Sequence, residues 1–408
     1  MKKIIKLYAD TSLILRIVIG LIIGALLGIF LPGAATVGML GDIFVGALKA
    51  IAPVLVFFLV CSSLAGASEG IGERFKTVIL LYLLGTFLSA VVAVLASFLF
   101  PITVELTVGA SESTPPGGIA EVLLNLISSM VMNPVTALEE ANYIGILFWA
   151  VLGGMALRMM KADSTAKVIS DLADMVSVVV RWIIQMAPFG VMGLVFKAVS
   201  GSGLGIFTTY GKLLLLLVGS MAVVTLVVYP AITALFLKRN PYPLVFKCLR
   251  ESGITAFFTR SSAANIPVNM ALCERLGLDK DFYSVSIPLG ATINMGGAAV
   301  TITIMTMTCA HTLGMSVDIP TAVVLSVLAA LGACGASGVA GGSLLLIPMA
   351  CSLFGISNDI AMQMVAVGFI IGVIQDSVET MINSSSDALF TAVAEFHDWK
   401  IRGREVKF

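Results

Sequence analysis

Charged residues are scarce in this chain of 408 residues. Asp, Glu, Lys and Arg together make up 12% of it and hydrophobic residues 58%, whereas a typical soluble domain is about 25% charged. So few charges cannot cover the surface of a soluble protein of this size. The composition therefore predicts an all-α polytopic membrane protein.

Histidine is nearly missing, and cysteine pairs and basic patches are absent. The two histidines, His311 and His397, lie too far apart in sequence for a zinc site, and the six cysteines form no CxxC pair. We interpret the cysteines as small buried hydrophobic residues rather than metal ligands or disulfide halves. Without a phosphate-binding glycine loop or an extended basic stripe, neither nucleotide nor nucleic acid is expected as a partner.

Apolar runs are abundant, and a run of about 20 residues can cross a hydrocarbon core of roughly 30 Å. Eight spans are expected, at 12–32, 43–65, 77–100, within 118–157, within 173–198, and at 213–237, 281–313 and 358–392. The basic and then apolar start is similar to a signal peptide. Its apolar run is long and no small-residue cleavage pattern closes it, so we interpret it as a retained first span.

Lys and Arg are distributed unevenly along the chain. Neither occurs in 77–157 or 281–399, and most of the others lie near span ends. By the positive-inside rule both termini are expected in the cytoplasm, and the loop 101–117, whose only charges are acidic, is expected outside. Lys49 lies within a span, where packing or snorkelling is more expected than a transport role.

Two apolar segments in the second half are interrupted by polar or small residues. Residues 243–276 contain "TRSSAANIPVNM" at 259–270, and residues 320–356 contain "GACGASGVAGGS" at 332–343. A continuous helix over 320–356 would be roughly 55 Å long, nearly twice the hydrocarbon thickness. We therefore predict two re-entrant hairpins. One span separates them, so they enter from opposite faces, which is the inverted repeat of secondary transporters.

The last span carries the strongest polar signal, in "GVIQDSVETMINSSSDALF" at 372–390. At about 100° per residue, one helix face holds Asp376, Glu379, Thr380, Asn383 and Asp387. Acids at membrane depth are costly unless paired, hydrated or neutralised, and are therefore functional candidates. The alternatives are a helix that extends into the cytoplasm and structural ion pairs.

Three further stretches are candidates for ligand contact. In "GATINMGGAAV", Gly296 and Gly297 after Asn294 weaken the helix and can free carbonyl oxygens for a cation, or else allow close helix packing. The glycine-rich tip at 332–343 can expose backbone groups to an ion, or be a bare turn. Ser261 and Ser262 can meet a substrate carboxylate at the end of a half-helix. Arg260 either contacts substrate or pairs with an acid of the last span.

The motifs "TRSSAANIPVNM", "PLGATINMGG", "GASGVAGGS" and "DSVETMINSSSD" occur in this order. With them the chain resembles the dicarboxylate/amino acid:cation symporter family, the family of the glutamate transporters, over nearly its whole length. Within that family it is most similar to the sodium-coupled serine/threonine symporters of bacteria. The resemblance implies a transporter rather than an enzyme, in the bacterial inner membrane.

The resemblance also implies a homotrimer that works as an elevator. A fixed trimerising scaffold would comprise 1–75 and 105–200. A moving transport unit would comprise 76–104 and 201–408, with the second hairpin as the outer gate.

The resemblance implies a role for each site position. Asp376 would hold the substrate amino group, and Ser262 and Asn383, with Thr380 beside them, would hold the α-carboxylate. The full set expected to bind substrate is Arg260, Ser261, Ser262, Val339, Ser343, Asp376, Glu379, Thr380 and Asn383. One sodium site would use carbonyls of Gly290, Asn294 and Asn383 with the Asp387 carboxylate. A second would use the Thr292 carbonyl and backbone of Ala333, Cys334 and Ala336.

Departures from the family pattern bear on the substrate. Members that carry acidic substrates have an arginine where this chain has Glu379, and a substrate carboxylate would be repelled there by an energy on the order of 1 kcal/mol or more. A neutral hydroxyl could instead donate a hydrogen bond to Glu379, and Ser343 is expected in the same pocket. Ala298 replaces a family threonine. L-Serine and L-threonine are therefore the expected substrates.

Other departures bear on the ions. Gly296 stands where relatives have an intramembrane aspartate, and Gly85, between Tyr82 and Thr86, replaces a threonine. Both positions belong to a third sodium site in relatives, so that site is expected to be absent. The alternatives left open are a sodium- or proton-coupled carrier of dicarboxylates, glutamate or aspartate, a passive channel and a membrane-embedded protease.

Overall fold

The computed structural model describes residues 11–65, 73–106, 124, 127–336 and 341–404. Within these ranges all regular structure is helical. Six helical stretches are long and apolar enough to cross a membrane, namely Leu13–Phe30, Ala35–Ser62, Arg74–Leu99, Ala187–Leu237, Lys280–Thr312 and Asn358–Ile401. The prediction of an all-helical, multi-pass membrane protein is confirmed, whereas the count of eight spans stays a prediction.

The helices of the first half are mostly long and apolar. They are α1 (Leu13–Phe30), α2 (Ala35–Ala65), α3 (Glu73–Leu99), α4 (Pro134–Glu139), α5 (Tyr143–Met159), α6 (Asp163–Gln185), α7 (Ala187–Ser202), α8 (Ile206–Val223) and α9 (Tyr229–Leu237). A π-helical turn at Val224–Val228 joins α8 to α9. Pro230 follows two residues after the turn, and its backbone nitrogen has no hydrogen to donate to the regular helical pattern.

One span expected in the first half is divided. The range 173–198 contains the boundary between α6 and α7 at Met186. Pro188 has no N–H and lies in the first turn of α7, where none is needed, so the chain starts a new helix there. Gly203 then ends α7 with a positive φ of 68°, which separates α7 from α8.

The helices of the second half are shorter, except for the last. They are α10 (Tyr242–Cys248), α11 (Ile254–Thr259), α12 (Ser262–Arg275), α13 (Lys280–Ile293), α14 (Gly296–Thr312), α15 (Ile319–Ala333), α16 (Ile347–Ser352) and α17 (Asn358–Ile401). A π-helical turn at Leu249–Gly253 joins α10 to α11, and a 3₁₀ turn at Gly342–Leu346 precedes α16. Helix α17 is the central element and packs against α11, α12, α13, α14 and α16.

The interruption in 243–276 is shorter than expected. Within 259–270 only Arg260 and Ser261 lie outside helices, Arg260 with a left-handed φ of 52° and Ser261 as the cap of α12, where its hydroxyl accepts from the Ala264 N–H at 3.2 Å. Most of the polar stretch 259–270 is therefore the return helix rather than a loop. The asparagines of this helix are hydrogen-bonded to α17. Asn265 Nδ2 donates to Ser384 Oγ at 2.8 Å, and Asn269 Nδ2 donates to the Ser384 carbonyl at 3.0 Å.

The other two breaks lie where the sequence indicates them. Asn294 and Met295 have non-helical backbone between α13 and α14. Helix α15 ends at Ala333, and Gly341 resumes the described chain with a φ of 75°. Whether the two interrupted segments are re-entrant hairpins that enter from opposite faces stays a prediction.

Candidate functional site

Both interrupted segments reach the carboxylate of Asp376 on α17. Arg260 Nε donates to Asp376 Oδ2 at 2.6 Å, and the Gly341 N–H donates to Oδ1 at 3.0 Å. The two charged side chains are only 11% and 4% exposed, so their attraction is weakly screened by water. Of the two roles considered for Arg260, the structure displays the ion pair with a last-span acid.

Two serines at the break in the first interrupted segment (243–276), called the first tip below, follow Arg260 directly in the chain. Ser262 is buried at the first position of α12, and Ser261 precedes it as the helix cap. The N-terminus of α12 carries backbone N–H groups that favour an anion. Val339, expected near the substrate from the second tip, lies outside the described residues.

Thr380 and Asn383 follow Asp376 on the same face of α17. The Thr380 hydroxyl donates to the Asp376 carbonyl at 2.8 Å, one helical turn back. The Asn383 side chain accepts from the Gly297 N–H at 2.7 Å and donates to Met295 Sδ at 3.3 Å. Asn383 thus satisfies a backbone donor that the break between α13 and α14 exposes.

Glu379 is held by three donors from three parts of the chain. Its Oε2 accepts from Thr301 Oγ1 of α14 at 2.7 Å, from Ser343 Oγ after the second tip at 2.8 Å and from Gln375 Nε2 at 2.6 Å. Ser343, expected from the sequence to lie in the same pocket as Glu379, is hydrogen-bonded to it. Thr301 and Gln375 were not predicted from the sequence as site residues, although Gln375 precedes Glu379 by four residues on the same helix face.

Asp387 lies in a pocket rich in oxygen atoms. Asn294 Nδ2 donates to Asp387 Oδ1 at 2.8 Å and to Ser386 Oγ at 2.7 Å, and lies 3.4 Å from the Asn383 carbonyl oxygen. Asp387 Oδ2 and Asn294 Oδ1 are buried without a hydrogen-bond partner among the described residues. A Cβ atom at Gly290 would lie 2.8 Å from Asp387 Oδ1, so the backbone of this glycine packs closely against the carboxylate.

Of the residues expected at a second cation site, Cys334 contacts Ile293, the neighbour of Thr292 in the chain. Cys334 Sγ donates to the Ile293 carbonyl at 3.4 Å, which joins the end of α15 to the end of α13. Ala333 and Ala336 are buried, whereas Thr292 is exposed. Two helix C-termini meet here, and their carbonyl groups carry partial negative charge.

Gly296 and Gly85, the two departures from the family pattern expected to remove a third cation site, are packed closely against neighbouring side chains. A Cβ atom at Gly296 would lie 2.1 Å from the Tyr229 hydroxyl oxygen and 2.7 Å from Ser89 Oγ. One at Gly85 would lie 2.7 Å from the Phe390 ring. Larger side chains at either glycine would displace these neighbours.

Tyr82 and Thr86 lie next to this region. The Tyr82 hydroxyl is 2.9 Å from Thr391 Oγ1 and 3.1 Å from the Ser286 carbonyl oxygen. Tyr82 thus links α3 to α13 and α17, in line with a packing role. The Thr86 hydroxyl is buried and accepts or donates no hydrogen bond within the part of the chain that the structure describes.

Comparisons with known proteins identify the family of this chain. The profile of the Sodium:dicarboxylate symporter family matches residues 13–396. The serine/threonine transporter SstT of Bifidobacterium adolescentis is 59% identical over 98% of this chain and 93% of its own length. The SstT proteins of Streptococcus thermophilus and Streptococcus agalactiae are 56% and 58% identical, over 98% and 97% of this chain and 100% and 98% of their own lengths.

The matched region spans all the site residues described above, from Tyr82 on α3 to Asp387 on α17. These relatives are transporters, which removes the protease alternative. The chain belongs to the sodium:dicarboxylate symporter family.

Proposed function

We propose that this protein is a sodium-coupled symporter that imports L-serine and L-threonine across the bacterial inner membrane. The observation that carries the proposal is the buried carboxylate of Glu379. Thr301, Ser343 and Gln375 hold it one helical turn from Asp376, the residue proposed to bind the substrate ammonium group. A negative group at this position attracts a hydroxyl donor and repels a second substrate carboxylate. The names of the close relatives point to the same substrates.

The substrate would bind between the two tips. Its ammonium group would pair with Asp376, and its carboxylate would meet the N-terminus of α12 at Ser262 together with Asn383 and Thr380. The side-chain hydroxyl would donate to Glu379. Since Arg260 and the Gly341 N–H already contact the Asp376 carboxylate, the ammonium group competes with both, and substrate binding is coupled to the positions of both tips.

Sodium is proposed as the coupling ion because Asp387 and Asn294, which are hydrogen-bonded to each other, each have a buried oxygen without a donor in the part of the chain that the structure describes. Asp387 Oδ2 and Asn294 Oδ1 are acceptors without donors in the described residues, and a small hard cation ligated by carboxylate and carbonyl oxygens would satisfy both. The ends of α13 and α15 would hold a second sodium ion. Since the third site is expected to be absent, with Gly296 packed closely against Tyr229 and Ser89, two sodium ions would move per substrate.

The mechanism we propose is an elevator in a homotrimer, with 1–75 and 105–200 as scaffold and the rest as transport unit. Leu13 and Ile17, in the first turns of α1, share a cavity of about 20 Å³ with Arg260 and Asp376. If α1 begins on the cytoplasmic side, as the basic terminus suggests, the substrate site lies near that side. Access from outside would then require the transport unit to move along the scaffold.

Uptake into liposomes tests the proposal. The purified protein should accumulate radiolabelled serine only when an inward sodium gradient is imposed, and uptake should saturate with serine concentration. Excess threonine should inhibit, whereas excess aspartate should not, because of repulsion at Glu379. Accumulation driven by a proton gradient alone would refute sodium coupling. Strong inhibition by aspartate would favour the dicarboxylate alternative, and uptake that never exceeds equilibrium would favour a channel.

A further inference from the structure

Gln375 lies one helical turn before Glu379 on α17 and is fully buried. Its side-chain amide nitrogen donates to Glu379 Oε2 at 2.6 Å and to Thr301 Oγ1 at 2.7 Å. Its own side-chain oxygen, Oε1, is buried without a hydrogen-bond partner among the described residues. The amide therefore uses both of its donors and none of its acceptor capacity.

That one-sided use follows from the charge next to it. Turning the amide over would take its donor away from Glu379 and would place Oε1 against the carboxylate, acceptor against acceptor. The unpaired acceptor is a cost, and a residue used only for packing, such as methionine or leucine, would avoid it. The geometry is therefore explained by the donor that Gln375 gives to Glu379.

All three donors to Glu379 reach the same oxygen atom. Thr301, Ser343 and Gln375 each donate to Oε2, which fills the acceptor capacity of that atom. The carboxylate cannot rotate without losing all three bonds at once. The other oxygen, Oε1, is thereby kept as the acceptor for a further donor.

We propose that Gln375, supported by Thr301, is a positioning residue that sets selectivity for substrates with a side-chain hydroxyl. It orients the Glu379 carboxylate so that Oε1 accepts the hydrogen bond of the substrate hydroxyl. This inference rests on the proposed function, since it needs a hydroxylated amino acid in the site. A substrate without the hydroxyl, such as alanine, gains nothing from the arrangement.

The test is the variant Gln375→Met, which retains side-chain length and removes the amide donor. Binding of serine and of alanine to the purified full-length protein is measured calorimetrically in saturating sodium. Serine affinity should fall about tenfold, the loss of roughly one oriented hydrogen bond, while alanine affinity changes by less than about twofold. Gln363→Met, three turns earlier on the same helix, is the matched control and should leave the serine-to-alanine ratio unchanged.

Equal losses for serine and alanine in Gln375→Met would show a purely structural role and overturn the inference. An unchanged ratio would do the same. Thr301→Val, which is isosteric and removes both a direct donor to Glu379 and the second contact of the amide, should also lower the ratio. If Gln375→Met does not fold, Gln375→Leu, which also lacks the amide donor, carries the test of Gln375. In the double variant the two losses should be less than multiplicative, because both act on one carboxylate.

Failure of the inference is distinguishable from failure of the proposed function. A wild-type protein that binds serine and alanine equally well would contradict hydroxyl recognition at Glu379 itself. A wild-type protein that prefers serine, together with a Gln375→Met variant of the same preference, would contradict only the role of Gln375.

Discussion

At the scale of single residues, the buried carboxylates of the candidate site all lie on one helix. Asp376, Glu379 and Asp387 are all buried on α17, and each has a different set of partners: a guanidinium, three neutral donors, and one amide. Only the first is compensated by a formal opposite charge in the described structure. The other two carboxylates are held by neutral groups, which is the arrangement expected where a ligand supplies the missing positive or donor contact.

Asp387→Asn should weaken sodium binding with little effect on folding. The substitution keeps the shape of the side chain and the contact with Asn294, but removes the charge that a cation would need. The sodium concentration for half-maximal serine uptake should rise at least tenfold. Asp398→Asn, farther along α17 and outside the polar cluster, is the control. An unchanged sodium dependence in Asp387→Asn would contradict the assignment of this site.

Helical periodicity was sufficient to group the acids of the last span, because a single helix face is a local property of the sequence. Thr301 and Gln375 were not predicted. Thr301 lies in α14, where every residue from Gly296 to Ala310 is buried, so no polar face stands out. The partner of such a residue depends on how α14 packs against α17, and the spacing of residues does not encode that.

At the scale of helices, close approach between α14 and α17 depends on glycine. A Cβ atom at Gly297 would lie 2.8 Å from the Glu379 carbonyl oxygen and 3.0 Å from its Cα. Backbone atoms cannot rotate away as a side chain does, so either helix would have to shift. The same contact carries the hydrogen bond from the Gly297 N–H to Asn383, and therefore joins packing to the substrate site.

Gly297→Ala should destabilise the protein and weaken serine binding together. Overpacking of this kind costs about 1–3 kcal/mol, and the melting temperature in detergent should fall measurably. Gly219→Ala is the matched control, since a Cβ atom there meets nothing within 4 Å and alanine favours a helix by about 1 kcal/mol over glycine. A Gly297→Ala variant as stable and as active as the wild type would contradict the packing described.

The helix boundaries show where sequence patterns are sufficient and where they are not. The sequence predicted a weakened helix at Gly296 and Gly297, whereas the break lies directly before them, at Asn294 and Met295, and both glycines belong to the first turn of α14. The polar stretch 259–270 was interpreted as a tip, yet α12 begins at Ser262. Its asparagines point to Ser384 on α17, so a polar surface that suggests a loop is a helix face bound to another helix.

At the scale of the whole molecule, an ion pair joins the proposed scaffold to the proposed transport unit. Lys49 of α2 contacts Asp359 at the start of α17, with side chains 42% and 75% exposed. Lys49 lies near the middle of α2, whereas Asp359 is in the first turn of its helix. An elevator movement would separate the two, so the pair would favour the position of the transport unit described above.

Breaking this pair should speed net serine uptake if the return of the empty unit limits turnover. An exposed pair contributes up to about 1 kcal/mol, so Lys49→Gln and Asp359→Asn should each raise turnover by up to about fivefold. The exchanged pair, Lys49→Asp with Asp359→Lys, should restore the wild-type rate. Lys197→Gln is the control, because Lys197 pairs with Asp42 within the scaffold. Single changes with opposite effects would contradict a shared contact.

For the whole molecule, the presence of Gly296 and Gly85 bears on how many sodium ions are transported with each substrate molecule. The space beside them is taken up by Tyr229, Ser89 and Phe390, which supports the proposal that two sodium ions move with each substrate molecule. Serine is a neutral zwitterion, so the charge moved equals the number of sodium ions. A tenfold change in the serine gradient should therefore shift the reversal potential by about 30 mV for two ions, against about 20 mV for three, since a tenfold ratio corresponds to about 59 mV per charge. Measurement in proteoliposomes at fixed sodium separates the two values, and a shift near 20 mV would mean that a third ion binds despite the close packing at these glycines.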